Sequence, residues 1–281
     1  MNYQSDYFPI LGIYEFAEKQ SKGYNLLFND LSGERNIEEP HKHDFFIINL
    51  FEKGKGVHII DFVEHQINDH QIHLVFPDQV HQWTISKETV AYQLMISREW
   101  YESFLPTLRF SSYYYYQHPA FNVSEDIYAL LLHEFQAIKK ELIEKKIFWE
   151  LIQKRSELIG LLISKSVERA FKDFENYHSS PIISRFLNLI DEHFKAERSV
   201  TFYAEKLNIS ANYLNIVCKK TLNMSASSLI QGRILLEAKR LLRVSEMSVK
   251  DIVYDLSFYD HASFSKFFKA QTGMTPSQFK E

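Results

Sequence analysis

Cysteine is almost absent from this 281-residue chain, which contains only Cys218. A single thiol excludes an internal disulfide framework and a zinc site built from several cysteines, and it fits a reducing compartment. The first residues, MNYQSDYFPILGIYEF, contain neither the basic nor the apolar segment of a secretory signal. No apolar run approaches the roughly 18 residues of a membrane span. We therefore expect a soluble, cytoplasmic protein without a membrane partner.

Acidic and basic residues are unevenly distributed, although the whole chain has a net charge of only −4. Residues 181–281 contain 14 Lys and Arg against 10 Asp and Glu, whereas the first 180 residues contain 18 against 26. A hydrophobic content of 45% is typical of a globular protein, and the length allows two domains. The basic C-terminal third favours a nucleic-acid-binding module joined to a different domain.

The first hundred residues have the pattern of β-strands. Segments rich in β-branched and aromatic residues alternate with Gly, Asp, Asn and Pro at about ten-residue spacing. These segments are YNLLF (24–28), FFIINLF (45–51), GVHIIDF (56–62), IHLVF (72–76) and VAYQLMI (90–96). The pattern predicts a small all-β barrel or sandwich.

The period then changes to that of amphipathic helices over residues 124–145 and 147–172. The expected apolar stripes consist of Ile127, Leu131, Phe135, Ile138 and Leu142 in the first helix and Ile147, Leu151, Leu158 and Leu162 in the second. A polar break follows at 173–181, where Ser180 is expected to cap a helix that begins at Pro181. Everything beyond is predicted to be helical.

The C-terminal part contains an internal repeat. Ser199, Val200, Ala204 and Leu207 correspond to Ser248, Val249, Val253 and Leu256 at an offset of 49, and Leu214, Val217, Cys218 and Lys219 correspond to Phe264, Phe267, Phe268 and Lys269 at an offset of 50. Asn223 and Gly273 then lie at equivalent positions of the two copies, and both residue types tolerate the left-handed conformation that often ends a helix. Each copy is a helix, a turn and a second helix, with a turn one residue longer in the second copy. This is the pattern of two helix-turn-helix units, joined by a helix over 227–243.

The second helix of each unit has an apolar face and a polar face without Asp or Glu. Phe264, Phe267 and Phe268 form the apolar face of the second copy. The polar faces carry Ala211, Asn212, Asn215, Ile216 and Lys219 in the first copy and His261, Ala262, Ser265, Lys266 and Lys269 in the second. A solvated surface is the alternative, but asparagine suits adenine edges and lysine suits guanine or phosphate. The repeated layout favours DNA binding.

At these residues the sequence resembles the AraC/XylS family of bacterial transcription regulators. The positions that match its C-terminal signature are Arg233, Ala238, Leu241, Leu242, Val249, Ile252, Leu256, Phe258, Asp260, Phe264, Phe268, Lys269, Gly273, Thr275, Pro276 and Phe279. The resemblance implies two recognition helices in successive major grooves of double-stranded DNA. It places base contacts on Asn212, Asn215, Ile216, His261, Ala262 and Lys266. We expect phosphate contacts from Lys219, Lys220, Arg233 and Lys269.

Five positions depart from the family pattern. Ser257 and Asn223 stand where the family usually has glycine, Val253 where it has alanine, and Cys218 where it has phenylalanine. These four concern the scaffold, and Cys218 is predicted to be a core residue rather than a redox sensor. Ile216 replaces what is often Arg or Gln, which predicts contact with a thymine methyl group.

The N-terminal half resembles the cupin-like effector domain of many such regulators. The segments EPHKHDFFIINLFEKGKGVHIIDF and FPDQVHQW follow the order of the two cupin motifs, and seven of the twelve histidines lie between 41 and 81. In metal-binding cupins His41, His43 and His81 would be ligands, but the Glu expected after the first pair is missing at 46–49. We therefore predict no metal and no other cofactor. His41, His43, Phe45, His81 and Trp83 are predicted to line a pocket for a small organic effector.

Three hypotheses follow for the barrel. It senses a small molecule for a DNA-binding regulator, it is a metal-dependent cupin enzyme with a DNA-binding tail, or it binds nothing and supports dimerisation. The missing Glu and the lack of any other acid–base constellation favour the first, so no catalytic residue is predicted. The helices at 124–172 either form a homodimer interface, as the resemblance implies, or pack on the barrel. RNA polymerase is a further candidate partner.

The predicted fold class is α+β with three parts. Residues 1–123 form a cupin-like barrel, 124–177 a helical linker or dimerisation region, and 178–281 an all-α domain with two helix-turn-helix units.

Overall fold

A computed structural model describes Ile13 and residues 25–109, 112–170 and 181–280. The chain divides into two compact units, one over Ile10–Phe174 and the other containing Glu175–Glu281. The predicted barrel and the two helices after it thus share one unit. The cap predicted at Ser180 lies outside the described residues, and the first helix of the second unit begins at Pro181. No described helix combines the length and apolar character needed to cross a bilayer.

Nine strands are described in the first unit. They are β1 Leu26–Ser32, β2 Arg35–Lys42, β3 Phe46–Lys53, β4 Gly56–Ile60, β5 Val63–Ile67, β6 Gln71–Val75, β7 Val80–Ile85, β8 Val90–Ile96 and β9 Ala120–Asn122. They form a five-stranded sheet in the order β1-β8-β3-β6-β9 and a four-stranded sheet in the order β2-β7-β4-β5. All pairings are antiparallel. The expected all-β part is therefore confirmed as two sheets.

The two sheets enclose a core to which both contribute. One cluster joins Phe45, Ile47, Val75 and Met95 to Ile60 of the smaller sheet. A second cluster combines Leu31, Phe51 and Ala91 with Ile67, Trp83 and Ile85. Strands buried on their inner faces have the apolar runs that the sequence showed.

Strands β2, β5, β7 and β9 were not among the predicted segments. β2 and β5 are the edges of the smaller sheet, and most of their residues are exposed or half-buried. An exposed edge strand needs no apolar run, and Pro40 is tolerated in β2 because an edge strand can lack one ladder donor. β7 alternates buried histidine and tryptophan with polar residues, so its inward face is partly polar.

Four helices complete the described part of the first unit. They are α1 Arg98–Phe104, α2 Ser112–Gln117, α3 Glu125–Leu142 and α4 Trp149–Ala170, with a 3₁₀ turn at Leu105–Thr107. Helix α3 packs on the larger sheet through an edge-on contact of Phe135 with Phe28 and an ion pair of Lys139 with Asp30. Packing on the barrel, one of the two alternatives for these helices, is thus observed for α3.

The predicted stripe of helix α4 is confirmed at Leu162, which is buried, but most of the buried residues differ from those predicted. Its buried residues include Ile152, Ile159, Ile163 and Val167, whereas Leu158 is exposed. The exposed side retains two leucines because Leu161 is also solvent-accessible. Periodicity identified the helix, but its rotation depends on packing against the 3₁₀ turn, where Thr107 approaches Gly160 so closely that a Cβ atom would clash.

The second unit is all-helical in its described part. Its helices are α5 Pro181–His193, α6 Val200–Lys206, α7 Ala211–Leu222, α8 Ala226–Val244, α9 Val249–Asp255, α10 His261–Thr272 and α11 Pro276–Lys280. Helices α6 and α7 form the first predicted helix-turn-helix unit, α9 and α10 form the second, and α8 connects them. The predicted fold class is confirmed.

Candidate nucleic-acid interface and barrel cavity

The caps of the two helix-turn-helix units explain why the helices start and stop where the repeat predicted. Ser210 accepts a hydrogen bond from the Tyr213 amide at the start of α7, and Asp260 forms a reciprocal capping box with Ser263 at the start of α10. Asn223 and Gly273 end these helices in the left-handed conformation, as the repeat indicated. The two recognition helices, α7 and α10, are therefore built by the same local rules.

The turns of the two units share one strained residue. Asn208 and Ser257 have φ values of 55° and 52°. The backbone amide that follows each residue donates to the carbonyl five positions earlier, Ile209 to Ala204 and Phe258 to Val253. Glycine suits this conformation best, which explains the family preference that Ser257 departs from.

Most of the residues predicted to contact bases have solvent-exposed side chains. Asn212 and Ile216 lie on the outer face of α7, and His261, Ala262 and Lys266 lie on that of α10. The opposite faces are buried through Leu214 and Cys218 in α7 and through Phe264 and Phe268 in α10. The core position predicted for Cys218 is confirmed, and burial raises its thiol pKa to about 11.

Asn215 is less accessible than the other predicted base-contacting residues. Its Oδ1 accepts a hydrogen bond from the backbone amide of Ala226, at 3.0 Å, at the start of α8. A contact of both amide atoms with adenine would require this bond to break. The observed role of Asn215 is to join the first recognition helix to the connecting helix.

Three of the four predicted phosphate-binding residues are exposed cations. Lys219, Lys220 and Lys269 lie on the last turns of the recognition helices, and none has an ion-pair partner among the described residues. Arg233 differs. Its side chain is 11% exposed, its guanidinium bonds to Asp191 and Glu237, and it stacks on Phe194. This arrangement contradicts the phosphate contact predicted for Arg233, because an internal ion-pair network holds its charge.

The sequence reasoning missed two exposed tyrosines beside the recognition helices. Tyr213 lies on α7, and Tyr259, 95% exposed, lies in the longer turn before α10. The extra residue of that turn was visible in the repeat and could have drawn attention to Tyr259. Because Tyr259 is almost fully exposed just before α10, its ring is free to contact a molecule that binds to this recognition helix.

The first unit contains a cavity of about 570 Å³ between its sheets. It is lined by Asn29, Leu31, Arg35, Asn36, Ile37, Glu39, His41, His43, Ile47, His81, Trp83, Gln93 and Met95. Four of the five predicted pocket residues are thus cavity-lining. Phe45 is not among the described lining residues and instead stacks behind His43, with ring centroids 4.5 Å apart.

Three histidines meet on one side of this cavity. The centroid of His41 lies 4.8 Å from that of His43 and 4.4 Å from that of His81, and His43 lies 5.0 Å from His81. One nitrogen of each ring lies within 4.8 Å of the others. His43 and His81 are buried, whereas His41 is half-buried at the cavity mouth.

A chain of hydrogen bonds runs from His81 into the barrel interior. His81 Nδ1 lies 3.0 Å from His58 Nε2, and His58 Nδ1 lies 3.1 Å from His73 Nδ1. His73 Nε2 then lies 3.1 Å from Gln71 Oε1, which also accepts from the Asn68 amide. The sequence alone could not show that His58 and His73 belong to this chain of hydrogen bonds, because they come together only where β4 of one sheet faces β6 of the other.

Burial keeps these rings neutral. Desolvation lowers the pKa of His73 to about 3 and holds those of His58 and His81 well below the usual histidine value. Desolvation also lowers the pKa of His41. The cavity therefore presents neutral imidazoles, which offer lone pairs rather than positive charge.

Known proteins resemble both units. A family model described as an AraC-like ligand binding domain matches residues 33–153, and one described as a helix-turn-helix domain matches 203–281. Regulatory protein SoxS of Escherichia coli K12 is 30% identical over 99 residues, which cover 35% of this chain and 92% of SoxS. The transcriptional activator RhaS of E. coli O81 is 23% identical over 252 residues, 86% of this chain and 87% of RhaS.

Other matches are partial or distant. The chain aligns with only 16% and 46% of the length of two further bacterial regulators. A crystal structure of unsaturated fatty acid bound ToxT from Vibrio cholerae has 14% identity and a TM-score of 0.42, covering 93% of this chain and 97% of ToxT.

The two matched models and the paired helix-turn-helix units identify an AraC-like ligand-binding domain followed by a helix-turn-helix domain. This chain belongs to the AraC family.

Proposed function

We propose that this protein is a cytoplasmic, sequence-specific DNA-binding regulator of transcription whose barrel cavity binds a small-molecule effector. The observation that carries the proposal is the repeated recognition helix. Both copies have a buried apolar face, a side-chain cap at the start, a left-handed residue at the end, and an exposed face whose cations are unpaired among the described residues. The similarity to the regulators SoxS and RhaS supports a role in regulation rather than in catalysis.

Base contacts are assigned to Asn212, Ile216, His261, Ala262 and Lys266. Lys219, Lys220 and Lys269 approach phosphates on either side. Because a single helix, α8, ties the two recognition helices together, they fit two successive major-groove segments about one turn apart. RNA polymerase is the partner that a DNA-bound regulator of this kind would meet.

Selection of binding sites from random duplex DNA by the purified full chain, followed by footprinting, tests this proposal. The expected result is an enriched sequence with two protected major-groove segments, and binding that weakens steeply with salt as counterions are released. Protection of one groove segment only, or no enrichment, would contradict the proposal.

The cavity is assigned to the effector because it combines apolar side chains, among them Trp83 and Met95, with polar side chains that can fix the orientation of a small molecule. A thermal-shift screen of small organic molecules should find compounds that stabilise the wild type but not His43→Ala or Trp83→Ala. Both variants should still bind the selected DNA, since their changes lie in the other unit. Compounds that stabilise all three proteins equally would exclude this cavity as the effector site.

A further inference from the structure

We propose that His41, His43 and His81 bind one divalent transition-metal ion at the side of the barrel cavity. The three rings converge at centroid distances of 4.4 to 5.0 Å. They come from the end of β2, the residue after it and β7. The expectation of no metal rested on a missing carboxylate and took no account of how the ring protons are arranged.

The protonation of His81 follows from the hydrogen-bond chain behind it. The Asn68 backbone amide can only donate, so its 2.9 Å bond identifies the Gln71 atom as the acceptor Oε1. His73 must then donate to Gln71 from Nε2, which leaves His73 Nδ1 as an acceptor. His58 donates to His73 from Nδ1 and accepts from His81 at Nε2. In a neutral His81 the proton is therefore on Nδ1.

This arrangement leaves a bare lone pair on His81 Nε2. The ring is 2% exposed, and Nε2 has no hydrogen-bond partner among the described residues. A buried acceptor without a partner is costly, and it indicates that a ligand satisfies it. The rings of His41 and His43 lie beside it in the cavity, with centroids 4.4 and 5.0 Å from that of His81.

His41 has the same tautomer for an independent reason. Its Nδ1 lies 3.2 Å from the carbonyl oxygen of Glu39, which can only accept, so Nδ1 carries the proton. His41 Nε2 is then an acceptor as well. Two neighbouring imidazoles thus direct lone pairs from Nε2 into the same part of the cavity, where one cation can accept both.

The chain from His81 through His58 and His73 to Gln71 is the kind of support that metal-binding histidines have. A ligand imidazole usually donates its second N–H to a fixed acceptor, which orients the ring and raises its basicity. Here the acceptor is itself held by further hydrogen bonds, ending at Asn122, which accepts from Gln71 at 2.8 Å.

The ligand set selects the class of ion. Three imidazoles suit Zn²⁺, Co²⁺, Ni²⁺ or Cu²⁺, whereas Mg²⁺ and Ca²⁺ prefer oxygen ligands. Bond lengths of about 2.1 Å place ligand nitrogens about 3.4 Å apart around a tetrahedral ion, so ring rotations must close the present spread of up to 4.8 Å. At least one coordination position would then face the cavity.

Metal binding can be measured on the full chain without DNA, so its outcome is independent of the proposed function. Chelator-treated protein is titrated with Co²⁺ or Zn²⁺ and analysed for bound metal by mass spectrometry. Trp83 lies 5.9 Å from His81 between ring centroids, so Co²⁺ should also quench its fluorescence. We expect one ion per chain.

Matched variants locate the ion. His41→Ala, at the cavity mouth, and His81→Gln should abolish stoichiometric binding. His65→Ala removes a barrel histidine outside the cluster and should retain one ion. His58→Phe breaks only the supporting chain and should weaken affinity by about 10- to 100-fold. Circular dichroism confirms that each variant is folded.

Several outcomes would overturn the proposal. They are wild-type protein with less than one-tenth of an ion per chain after reloading, a folded His41→Ala that keeps its ion, or equal loss in His65→Ala. If His41→Ala were unfolded, the folded state of His58→Phe and its affinity would decide, since only a supporting role predicts weaker binding without complete loss.

Discussion

His41 and His81 lie directly opposite each other on β2 and β7, with ring centroids 4.4 Å apart. This pairing depends on an irregularity in the register of the two strands. From Ile37 to His41 β2 advances by four positions, whereas its partner β7 advances by only two, from Trp83 to His81. The irregularity places His41, rather than Glu39, opposite His81. Such bulges commonly re-aim a side chain beside a functional site.

Lys266 and Lys269 separate specificity from affinity on the second recognition helix. Lys266→Ala should cost roughly 1–3 kcal/mol and relax the preference at one base position, if it reads guanine. Lys269→Ala should weaken binding to all sequences about equally and reduce the salt dependence. Binding measured on the selected site and on its single-base variants distinguishes the two. Equal weakening on every sequence by both changes would refute the base contact of Lys266.

Arg233→Ala should destabilise the C-terminal unit by about 3 kcal/mol, because it removes the ion-pair partner of Asp191 and leaves Glu237 only its longer contact with Arg240. Urea unfolding followed by far-ultraviolet circular dichroism measures this loss. Lys219→Ala is the control, since it removes the same charge from an exposed position and should affect DNA binding rather than stability. If Arg233→Ala had wild-type stability but bound DNA more weakly, the phosphate contact predicted from the sequence would be supported after all.

Ser257→Gly should stabilise the C-terminal unit by about 0.5–1 kcal/mol, because glycine adopts the observed φ of 52° without a steric penalty. Asn208→Gly in the first unit tests the same turn, and its gain should be smaller since asparagine tolerates the left-handed region. Circular dichroism is the suitable probe because Trp83, Trp100 and Trp149 all lie in the first unit. A loss of stability in Ser257→Gly would exclude backbone strain at this turn.

His73 should make the barrel unit sensitive to acid. Its folded pKa of about 3 lies below the unfolded value of about 6.5, so between these values only the unfolded state takes up the proton. The contribution of His73 to the free energy of unfolding is therefore complete above pH 6.5, and it falls by about 1.4 kcal/mol for each pH unit below that value. Urea unfolding followed by tryptophan fluorescence at pH 7.5 and 5.0 should show a smaller decrease for His73→Gln than for the wild type. His133→Gln, at an exposed position on α3, should behave as the wild type does, and identical pH dependence in all three would contradict this role.

Leu158 and Leu161 should contribute to a homodimer interface, because both lie on the exposed side of α4. Leu158→Asp with Leu161→Asp should shift the full chain from dimer to monomer in sedimentation velocity. Leu130→Asp, on α3 and equally exposed, is the matched control and should leave the dimer intact. A wild type that is monomeric at all concentrations would remove the basis for this interface.

The sequence by itself determined the helix-turn-helix repeat, because caps, turns and helix periodicity act between residues close together in the chain. Asn223, Gly273 and the buried face through Phe264 and Phe268 lie where local rules placed them. The buried strands of the barrel were recognisable for the same reason, whereas the exposed edge strands β2 and β5 have no apolar pattern to recognise.

Only the tertiary structure decided which polar residues face each other. Arg233 is basic like the neighbouring lysines, yet Asp191, 42 positions earlier, holds it inside the domain. His58, His73 and His81 are separate histidines in the sequence, and strand pairing across two sheets makes them one hydrogen-bonded chain. Such long-range pairs depend on register and burial, which no local pattern encodes, and they determine both the charge of the DNA-facing surface and the proton arrangement of the cavity.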